Sequence, residues 1–570
     1  MRLLFIGLLF VVSVAQGQIV YDFDTLNYGE RMNSSIDSID ISSADYTTSF
    51  DGGIAILSPN GLSATSLFRN ITEPAIAKES DWKRIQFSAL PHLGFSYSFG
   101  SQGSQFLKAK YNHAFTQNLV LDLRYNRSSG QGVLRNGVFA NNDVKLQLQR
   151  RGLRYSMLLK GSFQSYETGH PGGIDSLQDI GLDLNPVLKS NAQSRARIGN
   201  VILENYFNFL KDSVNALGLT TRHQYKIRNR LYTETDDIAA LYDAVYIDPL
   251  DTRDNFNIAR ISNGAGVYYN NTKLYLQGLV DYTYWKYSNL GVHQESTESD
   301  VYAMVGYKLK RLKFSNNLRL NIMGRFNEFS NKFNFTYTGN KIKAGAQFDY
   351  EKLAPTVFQR NYFSNNSSYS MTNVSTQNWL RGRVFAGYSI KDSVISLSAY
   401  ADYATVSNVY EYKNGSWVND SLKNTMFSIG VKSEMRFGVF NFHPHIVYST
   451  DQGGYLPQFQ AYGRLFVKGR LFKAKRLVAL IGVDVSYITE FKTKAFTPIM
   501  DTYNWQSSEN AFDSSFNLHA FFAFGIKEFR FFFRYENIGY FWTKHSNEEA
   551  TGYPIAVPRM RIGITWDFFN

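Results

Sequence analysis

The sequence predicts an all-β fold, a transmembrane antiparallel β-barrel of about 22 strands closed by its C-terminal strand. Three observations predict it. Segments of strict two-residue alternation recur along the chain, as strands with one lipid face and one inner face require. Connections alternate between short and long. After the N-terminus no apolar run approaches the ~18 residues of a membrane helix.

Composition agrees. Hydrophobic residues make up 44% of the 570, yet mean hydropathy is −0.29, so apolar side chains are dispersed among polar ones. The 38 Tyr and 45 Phe suit strands and the aromatic girdles of a membrane barrel. The 12 prolines are few, as expected where backbone N–H groups are needed in ladders. The absence of cysteine excludes disulfides, thiol nucleophiles, Cys-based metal sites and a lipidated cysteine.

The elements follow in chain order. Arg2, the apolar run 3–14 and the small-x-small triplet Ala15-Gln16-Gly17 read as a signal peptide over 1–17. Residues 18–83 lack alternation. Within 18–81 ten acidic side chains face three basic ones, although the whole chain stands at +12. An acidic head therefore precedes a basic barrel over 84–570. Two readings stand for the head: a periplasmic extension, or a small plug whose Asp37, Asp40, Asp45 and Asp51 meet basic side chains in the lumen.

The barrel starts with a strand over about 84–99. Alternation is clear over 311–323, where Leu312, Phe314, Leu318, Leu320 and Ile322 oppose Lys313, Ser315, Asn317, Arg319 and Asn321. It is equally clear over 426–437 and 528–537. In the last segment Met560, Ile562, Ile564, Trp566 and Phe568 alternate with Arg559, Arg561, Gly563, Thr565 and Asp567. The aromatics Trp566, Phe568 and Phe569 form a barrel-closing C-terminal signal. Short links fall near 117, 151, 211, 270, 310, 339, 391, 437, 472 and 527. The longest intervening links are about 167–195, 227–255, 352–376, 492–513 and 544–557. This phasing gives ten periplasmic turns and eleven outer loops, with both ends periplasmic. Pro171, Pro186, Pro249, Pro355, Pro498 and Pro554 fall in outer loops, and Pro457 and Pro558 at strand starts. Pro91 and Pro444 fall inside strands, where a bulge or kink is expected.

Alternation assigns lumen-facing charges: Arg124, Lys145, Arg319, Arg381, Arg383, Lys432, Arg436, Arg530, Arg534, Arg559 and Arg561. Asp122, Asp281, Glu434, Glu528, Glu536 and Asp567 share that face. Opposite charges that pair across strands stiffen the wall, whereas a net basic lining biases passage toward anions. His443 and His445 face the lumen two residues apart, without an evident third metal ligand. Six aspartates between 236 and 254 read as a solvated acidic loop, with Ca²⁺ the sharper alternative. No triad, phosphate loop or zinc-protease helix stands out, so no catalytic, cofactor or metal residue is assigned and no enzymatic activity is expected. Basic residues are dispersed and form no stripe, which argues against nucleic acid.

Several motifs resemble the putative porin family of Bacteroidota outer membranes. They are Gly172-Gly173-Ile174-Asp175, Ala354-Pro355 with Tyr362-Phe363-Ser364-Asn365-Asn366, and Ser407-Asn408-Val409-Tyr410. Further on come Thr489-Glu490-Phe491, Ala495-Phe496-Thr497-Pro498 and the segment 559–568 with its terminal Trp-x-Phe. The resemblance implies a large outer-membrane barrel acting as a porin or channel for passive passage of small solutes. The alternative is a non-conducting scaffold or accessory subunit of an assembly, secretion or uptake complex. Expected partners are outer-membrane lipid, the barrel-assembly machinery during biogenesis, and protein subunits of such a complex.

Overall fold

A computed structural model describes residues 90–569, apart from 177, 179, 180, 213, 326, 372, 373, 391–394, 414, 473–475, 494, 505–510, 543–546 and 556. The segment read above as a signal peptide and the acidic head lie outside the described residues.

Twenty-two antiparallel strands form one sheet, each paired with its neighbours in sequence. The first, β1 (His92–Gly100), pairs with the last, β22 (Arg559–Phe569), with Phe95 opposite Trp566 and His92 opposite Phe569. Closure leaves no edge, which is the condition for a sheet in lipid. The count and the short–long phasing match the sequence reading. One set of ends carries short turns, such as Thr116 to Leu119 and Ile526 to Phe529, and the chain ends of the barrel lie with them.

Alternation shows directly in burial. On β22 Met560, Trp566 and Phe568 are exposed to the lipid side, while Arg559 and Arg561 are buried toward the lumen. At some lumen-facing glycines an aromatic ring fills the space of the missing side chain. The Phe532 ring lies over Gly563, so that a Cβ there would come 2.3 Å from it.

Three expectations are corrected. The first strand begins at His92, so Pro91 lies just outside it. Pro444 lies inside β17 (Phe440–Asp451) without a register shift: the ladder to β16 (Ser416–Phe437) resumes in phase on either side of the interval Lys432–Met435. The expected loop 227–255 is strand at both its ends, because β7 spans Ala216–Glu234 and β8 begins at Thr252. The cause is physical. A span needs about 9–11 residues, and β6 (Gln193–Lys211), β7 and β8 (Thr252–Asn270) have 19 each. Their outer halves rise above the bilayer, where neither face needs apolar side chains and alternation disappears.

Candidate functional site

The candidate site is the lumen wall together with the outer loops that cross above it. A ring of 22 strands encloses more space than wall side chains can fill.

Most of the inner-face charges are paired. A continuous ionic chain runs across the closing arc, which consists of β18 (Phe459–Leu471), β19 (Leu477–Ile488), β20 (Ser515–Ile526), β21 (Phe529–Glu536) and β22. Arg464 Nε and Nη2 reach the two Asp484 oxygens at 2.6 and 3.0 Å. Arg534 Nη1 lies 2.8 Å from Asp484, its Nε lies 3.2 Å from Glu536, and Arg561 Nη2 lies 2.9 Å from both Glu536 oxygens. Arg534 and Glu536 are almost wholly buried. Beside them Arg530 meets Asp567 at 3.1 Å, and His92 meets the other oxygen of Asp567 at 3.2 Å.

The remaining sequence-assigned cations fall as follows. Arg124 pairs with Asp122 at 2.6 Å, and Lys145 is buried directly across the ladder from Arg124. Arg319 meets Glu328 at 2.6 Å, Arg381 meets Glu351 at 3.1 Å, and Arg383 grips Asp402 with two nitrogens at 2.5 and 2.7 Å. Arg559 is buried near the outer end of β22, and Arg436 is exposed near the periplasmic turn. Glu528 sits in the turn before β21 and is not part of the inner face. Lys432 lines a lumen pocket of about 220 Å³ with Glu434, His443, His445, Tyr462 and the Arg464–Asp484 pair. Both histidines therefore reach one pocket. Among the described residues no group of three or more His, Cys, Asp or Glu side chains could hold a metal.

Of the acidic loop, several aspartates are engaged in building it. Asp236 accepts from the backbone N–H groups of Ser190 and Asn191 at 3.1 and 3.0 Å. Asp248 Oδ1 accepts from the Leu250 N–H at 2.8 Å, and Asp254 accepts from the Asn365 N–H at 3.0 Å.

Sequence reasoning missed the lid. β7 and β19 stand on opposite sides of the ring, yet the buried Arg230 of β7 donates to the carbonyls of Pro498 and Ile499 at 2.6 Å each, in the loop after β19. That loop therefore crosses the bore. A second crossing joins β8 to β16, eight strand steps away, or roughly 38 Å around the wall at ~4.8 Å per step. Phe358, in the short helix Val357–Arg360, lies 5.0 Å from the Phe256 ring of β8 and 6.3 Å from the Trp417 ring of β16. The hairpin carrying Trp417 changes register at Asn408, whose φ is 57°, and beyond it Val409, Tyr410, Glu411 and Tyr412 are all buried. A sheet segment buried on both faces is enclosed by loops. Tyr232, Phe256, Trp285, Phe358, Tyr362 and Met500 belong to a single apolar core there.

The motifs named above are rivets of this lid. Asn365 accepts at Oδ1 from the Ile247 and Asp248 N–H groups at 3.0 and 2.8 Å and donates to the Asp248 carbonyl at 2.7 Å. Asn408 donates to the Thr376 carbonyl at 3.0 Å. Gly173 and Gly552, at φ 99° and 79°, touch backbone to backbone, where a Cβ on Gly173 would lie 3.1 Å from the Gly552 Cα. The Ile174 N–H donates to the Gly552 carbonyl at 2.8 Å. A buried junction of Lys189, Glu234, Tyr232 and Tyr242 ties the loop after β5 (Tyr155–Gly169) to the top of β7. Burial and the adjacent Glu234 carboxylate hold the Tyr242 phenol well above its ordinary pKa.

Among solved structures, the iron transporter FrpB from Neisseria meningitidis is similar, with a TM-score of 0.60 at 10% identity over 84% of this chain and 83% of that one. The copper transporter OprC gives 0.61 at 10% identity over 86% and 82%. The siderophore receptor PirA from Acinetobacter baumannii gives 0.58 at 10% identity over 85% and 81%. At such identity the likeness is one of fold, that of a large outer-membrane barrel. No curated protein matches the chain. The pattern of the family described as "Putative porin" matches residues 60–570, from before the first described strand through the closing one. With its closed 22-stranded wall, charged inner face and C-terminal closing strand, this outer-membrane chain belongs to the putative porin family.

Proposed function

We propose that the protein is a channel that lets small solutes cross the outer membrane down their gradient, and that the crossing loops close its outer mouth at rest. The observation that carries this is the inner face. It remains polar and charged around a ring too wide for its own side chains to fill. A wall built only as a support has no need to keep so many ionised groups toward an aqueous bore.

Planar-bilayer recording tests the reading. The full chain is expected to conduct weakly or in rare openings. Arg230→Ala removes the guanidinium that holds the Pro498 and Ile499 carbonyls, and it is expected to raise conductance severalfold. If both proteins are silent while correctly inserted, the channel reading fails.

One observation favours a second reading, a docking subunit of an outer-membrane complex. Tyr246, Ile247 and Leu250 are exposed on an outer loop that Asn365 holds in place. Crosslinking in native membranes followed by purification separates the two readings. Recovery of a lone barrel would rule out the second.

A further inference from the structure

We propose that the lumen pocket between β16 and β18 binds a small zwitterion of the free α-amino acid class, with its carboxylate on Lys432 and its ammonium on Glu434. This rests on the channel reading and adds a solute class to it.

The ladder sets the inward side chains here in two rows. One runs from Ser398 of β15 (Ile395–Lys413) through Lys432 and His445 to Tyr462. The other, one step nearer the periplasmic turn at Gly438, runs from Ser396 and Glu434 to His443 and Arg464. The neighbours Val431, Ile446 and Leu465 are exposed on the lipid side, which fixes the face. The pocket therefore lies toward the periplasmic end of the bore, away from the lid.

Other charges around it are in contact with a partner. Arg464 grips Asp484, which also holds Arg534. Arg383 grips Asp402, two positions beyond Tyr400 on β15. Lys432 and Glu434 differ. Both are exposed to the lumen, and neither side chain forms an ion pair or hydrogen bond among the described residues. They stand two positions apart on one strand, roughly 6.6 Å. Arg436, two positions further on, is exposed and does not reach Glu434 either. On β15 their neighbours are the two serines and on β17 the imidazoles, so no opposite charge of an adjacent strand lies directly across from them.

Water weakens the attraction of two charges held apart in this way. An α-amino acid carries both charges on one carbon and can lie between the two side chains. It meets each with a charge-assisted hydrogen bond, which a simple anion or cation does at one end only. The wall between the charges is held by its own contacts. Tyr400 Oη and His445 Nε2 are 3.0 Å apart, and the Tyr462 hydroxyl donates to Gln460 at 2.9 Å. His443 stands edge-on to Phe466 with ring centres 5.3 Å apart. The adaptable contacts are thus the two charged ends. At about 220 Å³ the recess suits a molecule of this size. Two contacts open to water bind weakly, as passage requires, because a solute held tightly does not leave.

Saturation-transfer NMR titration of the full chain in a non-ionic detergent tests the site, with L-alanine as probe at pH 7. L-Alanine is expected to bind saturably. L-Lactate and isopropylamine, which each keep one of the charges, should bind at least tenfold more weakly. K432Q and E434Q should each weaken L-alanine binding roughly tenfold. The reversed pair K432E/E434K should recover most of it, since a zwitterion can turn end for end. K313Q, at a lumen-facing lysine of β11 (Leu312–Met323), should leave it unchanged. Heat-modifiable migration in gels confirms folding of each variant. No saturable binding by the native chain, equal binding of L-lactate, or an equal loss in K313Q overturns the proposal.

Planar-bilayer recording of the same preparations separates the site from the channel reading. Current without L-alanine binding overturns the site and leaves a channel. Binding without current keeps the site and sinks the channel reading.

Discussion

The same residue type plays opposite parts in two arcs of the wall. Across β18–β22 each arginine of the ionic chain has a carboxylate within reach, and Arg464, Asp484, Arg534, Glu536 and Arg561 form alternating charges. Across β7 and β8 Arg228 and Arg260 make no direct ion pair among the described residues, and the carboxylates nearest them in effect, Asp501 toward Arg228 and Glu298 and Glu328 toward Arg260, act at longer range. The first arrangement cancels its own field and fixes register where the barrel closes. The second offsets its cations only across a gap, without the contacts that fix a register. A charged inner face is therefore not one property, and the two arcs should respond differently when a cation is removed.

The largest effect is expected in the closing arc. Arg534 is fully buried between Asp484 and Glu536. Arg534→Ala leaves two carboxylates without their shared cation, a loss of about 3–5 kcal/mol for a broken buried network. Urea unfolding of refolded protein in detergent, followed by tryptophan fluorescence, measures it. A change below about 1 kcal/mol would show that the ionic chain is solvated and contributes little to closure.

This contrast was only partly legible in the sequence. Within the bilayer, lipid demands an apolar outer face, so Arg530, Arg534, Arg559 and Arg561 are assigned inward by alternation alone. The C-terminal strand is legible for the same reason, through Trp566 and Phe568. Above the bilayer that demand ends. Arg228 and Arg230 then read as the start of a loop, because Asn229 and Leu231 on the other face show no consistent apolar signal. The lid is illegible for a different reason. Arg230 binds Pro498 and Ile499, more than 260 residues away, and nothing local marks either partner. Motif resemblance did mark Asn365, Asn408 and Gly173, without saying that each is a junction between distant loops.

A middle effect tests the second arc. Arg228→Gln removes no direct ion pair; it removes the cation–π contact with Phe256 and the longer-range attraction of Asp501, and it relieves repulsion from Arg230. Stability is expected to change by less than about 1 kcal/mol. The matched pair Arg534→Ala and Arg228→Gln, measured in the same unfolding experiment, should differ severalfold. Equal destabilisation would mean that Arg228 has a structural role like that of Arg534, and the distinction between the arcs would be lost.

The smallest effect concerns the outer end of the closing arc, where the pairing rule breaks. Glu548, in the loop between β21 and β22, forms no ion pair among the described residues. Its Oε2 accepts the Gly552 N–H at 2.8 Å, at the glycine junction with Gly173. Burial raises its pKa above the ordinary glutamate value, and the Gly552 hydrogen bond offsets only part of that rise. The closed junction therefore binds the proton more readily than the open one. Its stability is highest below the ordinary value of about 4.3 and falls as pH rises from there through the raised one. Hydrogen exchange of the amides around Gly552, corrected for intrinsic rates, is expected to slow between pH 7 and pH 5. Glu548→Gln keeps an oxygen for the Gly552 N–H and removes the charge, so it should exchange slowly at both pH values. Exchange that quickens on acidification in the native chain would show that the carboxylate is held by a cation after all, and would extend the pairing rule of the closing arc to the lid.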